Sequence, residues 1–146
     1  MTIKKKPVIL MADDDEDDRV LVREAFLEIG LESVLTFVDD GQKLIDYLQC
    51  CVNNDSAPCP DLILLDLNMP KKDGRTALKE IKSDMRFRYI PVVIMTTSKE
   101  TIDVVTCYRS GANTYISKPP SFDQLTEVVN CLHQYWFKTA VLPKKS

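Results

Sequence analysis

Short runs of branched aliphatic residues recur along this chain, and none alternates apolar with polar: Val8 to Ala12, Leu35 to Val38, Leu62 to Leu65, Pro91 to Met95 and Thr114 to Ile116. Strands covered on both faces have this composition, because in a parallel sheet neither face is left to water. Stretches with helical spacing lie between them. Val20, Leu21, Ala25, Phe26 and Ile29 mark a helix that stops at Gly30, and others run from about Gln42 to Cys51, Thr76 to Ser83, Thr101 to Arg109 and about Phe122 to Phe137. Val52 to Pro60, with Asn53, Asn54, Asp55, Ser56 and two prolines, reads as an exposed loop. Five alternations of strand and helix predict an α/β fold, a doubly wound five-stranded parallel sheet with helices on both faces. The 146 residues suffice for one domain spanning 1–146, with a core of about 8–137 and a short tail of 138–146.

Composition narrows the function classes. The net charge is -3, and six of the 22 acids stand in one unbroken run from Asp13 to Asp18. The mild acidity is therefore local. The charge outside the acid run is balanced, with Lys4 to Lys6 and Lys144 and Lys145 at the chain ends, so no basic face for nucleic acid is expected. No apolar stretch long enough for a membrane span and no signal peptide is present, which predicts a cytoplasmic protein. Five cysteines in no C-x-x-C pattern, with His133 as the sole histidine, predict reduced thiols rather than a zinc site or a catalytic cysteine.

In sheets of this kind ligands bind beyond the carboxyl ends of the strands. The residues there are Asp13 and Asp14 after the first strand, Asp66 after the third, Thr96 after the fourth and Lys118 after the fifth. Three converging carboxylates repel one another, and a hard divalent cation removes the conflict. Mg2+ takes one or two carboxylates plus water and a phosphate oxygen. With a cation held there, an Asp66 oxygen can attack an activated phosphoryl group. Lys118 can pair with one phosphoryl oxygen, and Thr96 can donate a hydrogen bond to another.

The segments VILMADDDEDD, PDLILLDLNMPKKDG, PVVIMTTS and GANTYISKPP, in this order between Val8 and about Tyr135, resemble the receiver domain of two-component response regulators. The resemblance implies a flavodoxin-like fold with strand order 2-1-3-4-5. It also implies that Asp66 is the phosphoacceptor and that Asp13 and Asp14 are the acidic metal pair, with Asp14 the direct ligand. Asn68 would complete the Mg2+ site through its backbone carbonyl, Thr96 and Tyr115 would be the switch residues, and Lys118 would pair with the phosphoryl group. Family members usually have a cis bond at the step that is Lys118 to Pro119 here. Tyr115 would turn inward once Thr96 and Lys118 engage the phosphoryl group. Thr97 stands where the family usually has alanine or glycine, so its branched side chain is expected to narrow access to the site.

The remaining acids, Asp15 to Asp18, read as a solvated, capped helix start. Tyr135, Trp136, Phe137, Val141 and Leu142 put much apolar surface at the chain end and suggest an association surface. The short single-domain regulators that accompany bacterial phytochrome kinases have similar tails. That likeness implies a sensor histidine kinase of phytochrome type as phosphodonor, a homodimer on the fourth helix, fifth strand and fifth helix, and a downstream protein or phosphotransfer partner. No enzyme turnover is expected. An aspartate-nucleophile phosphatase would need a titrating group where Asn68 stands, and a flavin phosphate would be repelled by the acid run. A receiver-like protein-interaction module that takes no phosphate is the alternative.

Overall fold

The computed structural model describes residues 6–31, 34–54 and 57–143. Lys4, Lys5, Lys144 and Lys145, and Asp55 and Ser56 of the expected loop, lie outside the described residues. The elements in chain order are β1 (Val8–Ala12), α1 (Glu16–Glu28), β2 (Val34–Val38), α2 (Gly41–Asn54), β3 (Leu62–Leu65), α3 (Gly74–Ser83), β4 (Val92–Thr96), α4 (Thr101–Arg109), β5 (Thr114–Ser117) and α5 (Phe122–His133). All five strands are parallel, in the order β2-β1-β3-β4-β5. This is the doubly wound, flavodoxin-like topology.

The apolar runs do not alternate because successive residues feed two different cores. Leu10, Ile63, Leu65, Val92 and Ile94 pack with Leu44 and Leu48 of α2, Leu78 and Ile81 of α3 and Cys107 of α4. Their strand neighbours Ile9, Met11, Leu62, Leu64, Val93 and Met95 pack with Val22 and Phe26 of α1 and Leu125, Val129 and Leu132 of α5. Both sets are excluded from water, each large side chain contributing about 1.5–3 kcal/mol of burial. The left-handed Gly30 ends α1, and its own N–H and that of Leu31 return to the carbonyls of Leu27 and Phe26.

Four expectations change. α2 runs on to Asn54, so the loop signal begins too early at Val52. Cys51 and Cys59 are joined as a disulfide with their Cα atoms 5.2 Å apart, so these two are not reduced thiols. Sequence spacing could not reveal the pair, because it depends on where the chain returns after α2. α5 gives way after His133 to wider π-helical winding over Gln134–Thr139. This turns Trp136 and Phe137 onto the α1–α5 core, while Tyr135 and Val141 stay exposed, so the apolar chain end is not one surface. No cis peptide bond occurs among the described residues, so the Lys118–Pro119 bond is trans, the form intrinsically favoured even before proline.

Candidate functional site

Each strand delivers its site residue by ending where the sheet ends. The Asp13 N–H donates to the Val38 carbonyl at 3.0 Å and the Asp66 N–H to that of Ala12 at 3.0 Å, so both carboxylates leave the sheet from its last rung. Gly74 makes room behind Asp66: a side chain there would collide with the Asp66 carbonyl, so α3 can start only with glycine. Its N–H reaches the Leu67 carbonyl at 2.8 Å, and Asp73 caps the helix.

The fifth expected partner reaches in from β5. The Lys118 N–H donates to the Thr96 carbonyl at 2.8 Å, and its ammonium lies 2.9 Å from Asp13, 2.6 Å from Asp18 and 3.2 Å from Asp66. An ammonium has three protons and here meets three carboxylates. Burial pulls the Lys118 pKa down, but Asp18 and Asp13 more than offset it and hold the group above the ordinary lysine value. Burial dominates at Asp13, pushing its carboxyl up to about 6 against the opposing Asp15 N–H and Lys118. A buried carboxylate in that condition has less positive charge near it than it can use.

A hard divalent cation fits this deficit. Asp13, Asp14 and Asp66 each offer an oxygen, and the three oxygens lie within 4.8 Å of one another. Oxygen donors of this kind suit Mg2+ or a similar ion and would draw no soft metal. Asp14 is exposed beside the two buried carboxylates, leaving a side open to water and to a phosphoryl oxygen. Asn68 is exposed two residues beyond Asp66, and its N–H approaches the Asp66 carboxylate at 3.4 Å.

Thr96 is fully buried, and its hydroxyl has no hydrogen-bond partner among the described residues. Such a group costs free energy unless something completes it. Tyr115 is half-buried against the α2–α3–α4 core and donates its hydroxyl to the Ser98 carbonyl at 2.9 Å. The ring is therefore in the inward position, with its hydroxyl on the loop after β4. Thr97 is exposed at the mouth.

All of the expected residues Asp13, Asp14, Asp66, Asn68, Thr96, Tyr115 and Lys118 thus lie around one sheet edge. Asp18 corrects the reading of a wholly solvated acid run: Asp15 does cap α1, accepting from the N–H groups of Asp17 and Asp18, but the Asp18 side chain turns inward onto Lys118. No sequence signal separates it from its neighbours, since only the roll of α1 selects the inward position. Asp103 and Arg75 were also not anticipated. Arg75 grips Asp103 through two hydrogen bonds of 2.7 and 2.8 Å, and Ser98 donates to Asp103 at 2.6 Å.

Comparison with known proteins agrees with this geometry. The model of the response regulator receiver domain matches residues 9–130. Response regulator Rcp1 of Synechocystis sp. is 38% identical over 136 residues, covering 93% of this chain and 92% of that protein. The crystal structure of the phosphorylated cyanobacterial phytochrome response regulator RcpA superposes with a TM-score of 0.88 at 38% identity, covering 96% of this chain and all of that one. The Mn2+-bound form of Rcp1 gives a TM-score of 0.85 at 37% identity, covering 94% and 99%. The chain belongs to the response regulator receiver family, whose members bind a divalent metal and act in two-component signalling.

Proposed function

We propose that this chain is a single-domain two-component response regulator that accepts a phosphoryl group on Asp66 from a sensor histidine kinase. The observation that carries the reading is the buried, unpartnered Thr96 hydroxyl on the strand next to Asp66, at an edge where Lys118 is already drawn to three carboxylates. Among the described residues no oxygen accepts from this donor. Near-complete coverage of Rcp1 and RcpA supports a unit that works without an attached output domain.

An Asp66 carboxylate oxygen attacks the phosphorus, forming an O–P bond as the P–N bond to the kinase histidine breaks. Mg2+, held by Asp13, Asp14, Asp66 and the Asn68 carbonyl, would neutralise charge on the transferring oxygens. Lys118 releases part of its hold on Asp66 and pairs with one phosphoryl oxygen, and Thr96 donates to another. Asp18 and Asp13 keep the ammonium charged and aimed throughout.

The added charge changes the loop after β4 and thereby the face formed by α4, β5 and α5, which would meet a downstream protein or phosphotransfer partner. Ile102, Val105 and Tyr108 are exposed on α4 and support a homodimer on that face. RcpA is by name a phytochrome response regulator, which supports a kinase of phytochrome type and, with it, a cytoplasmic location. No helix is long and apolar enough to cross a membrane among the described residues.

The test is incubation with the cognate kinase or acetyl phosphate and Mg2+, comparing wild type with Asp66→Asn and measuring molecular mass before and after. Label that appears only with Asp66 and Mg2+ is expected, with a mass shift toward a dimer. Unlabelled wild type would leave a receiver-like interaction module that takes no phosphate.

A further inference from the structure

The loop between β4 and α4 carries Thr97, Ser98, Lys99 and Glu100, and two different anchors converge on Ser98. From β5, the Tyr115 hydroxyl donates to its carbonyl at 2.9 Å. From α4, Asp103 accepts its hydroxyl at 2.6 Å. Asp103 cannot swing away, because Arg75 of α3 holds both its oxygens in a fork, at 2.7 and 2.8 Å. Arg75 and Ser98 together keep the Asp103 carboxyl at about 2, well below the ordinary carboxylate value. Arg75 also stands 3.7 Å from Asp73, the cap of α3, so its position is fixed by the element that starts behind Asp66.

A continuous chain of contacts thus runs from the backbone near the phosphoacceptor, through Arg75, Asp103 and Ser98, to the Tyr115 ring. Glu100 makes no side-chain cap bond at the start of α4, so Asp103 in its first turn is the acid that fixes this end. The Tyr115 N–H accepts a further tether from α4 by donating to the Tyr108 hydroxyl oxygen at 3.0 Å.

We infer that Arg75 and Asp103 are positioning residues of the phosphorylation switch: their ion pair pins Ser98, whose carbonyl holds the Tyr115 hydroxyl in the inward position. This inference rests on the reading of Asp66 as phosphoacceptor. Loosening the pair lowers the population of the inward ring, so a phosphoryl group that favours this state is then taken up more slowly.

The experiment follows the Tyr115 ring by NMR in the unphosphorylated full chain, assigned with Tyr115→Phe, alongside acetyl phosphate labelling with Mg2+ and thermal unfolding. Asp103→Asn and Ser98→Ala should each move the ring signals toward those of a solvent-exposed tyrosine and slow labelling by about tenfold. Arg75→Lys, which keeps the charge and loses the fork, should show a smaller change in both. Unchanged ring signals in Asp103→Asn and Ser98→Ala would overturn the inference, as would a lowered melting temperature with ring and labelling rate unaltered. If wild type takes no label, the phosphoacceptor reading fails, and the ring signals of the unphosphorylated variants still decide whether the pair positions Tyr115.

Discussion

The two ends of β3 carry the same residue type with opposite duties. At the amino end, the Asp61 carboxylate accepts the Val8 N–H at 2.9 Å while the Asp61 N–H donates to the Val8 carbonyl at 2.7 Å, so the acid closes the β1–β3 ladder. At the carboxyl end, Asp66 faces Asp13, Asp14 and Lys118. Two half-buried lysines repeat the contrast. The Lys82 ammonium donates to the carbonyls of Arg88 and Ile90 and to the Asn113 amide oxygen, and among the described residues meets no carboxylate. Burial lowers its pKa, whereas the carboxylates around Lys118 raise that one. A polar group satisfied by neutral backbone acceptors holds structure together. A group surrounded by charge of one sign, beside an unpartnered hydroxyl, is arranged for a ligand.

The strongest way to break this comparison is to remove the two acids in turn. Asp66→Asn should abolish labelling, while Asp61→Ala should label at the wild-type rate and lose about 1 kcal/mol, or roughly 3 °C in melting temperature, through the orphaned Val8 N–H. Equal labelling of Asp66→Asn and wild type would erase the distinction between the two ends.

The lysines give the next effect. Lys118→Met should slow labelling by about tenfold or more, because a charged donor to the transferring group is lost. Lys82→Met should not change labelling and should cost about 1–3 kcal/mol in stability. The pH dependence separates them further. With its folded pKa lowered, Lys82 makes stability rise with pH from that value up to about 10.5, where the unfolded chain also loses the proton. Lys118, with its folded pKa raised, contributes fully below 10.5 and is lost only as pH climbs through the folded value. Denaturant unfolding between pH 8 and about 11 should therefore lose its upward slope in Lys82→Met alone.

Asp13 offers a smaller effect tied to the metal. Its carboxyl is raised from 3.8 to about 6, so the folded state binds the extra proton in that window. The metal-free protein should lose up to about 3 kcal/mol of stability as pH rises from about 4 to about 6, and Asp13→Asn should flatten the slope. Adding Mg2+ should restore stability most at the upper end, where the carboxylate is charged. Thr97→Ala is expected to have the least effect, a rise of a few-fold at most in labelling and in decay of the phosphoprotein, since Thr97 is exposed and only crowds the mouth. Identical rates would remove Thr97 as a gate.

Much of this was legible from residues alone. The non-alternating runs place five strands within a residue or two of their ends, because burial on both faces leaves no other composition stable. Asp13, Asp14, Asp66, Thr96 and Lys118 could be picked out because each ends a strand or follows one within two residues, and parallel strands all end on one edge. Asp18 could not, since an inward and an outward acid in the first turn of α1 look alike until the helix is docked. The Arg75–Asp103 pair, 28 residues apart on two helices, and the Cys51–Cys59 bridge have no local signature either.

What the sequence by itself determined is therefore periodic or terminal: strand and helix, the two cores, and the acids and lysine at strand ends. Only the tertiary structure decided which neighbours those groups meet. It put Asp18 on Lys118, left Thr96 without a partner among the described residues and fixed Tyr115 inward through Ser98. The physical reason is range. Burial and backbone hydrogen bonding act on every residue of an element and leave a pattern along the chain, whereas a single ion pair or hydrogen bond depends on the roll and register of two packed elements, to within about 1 Å.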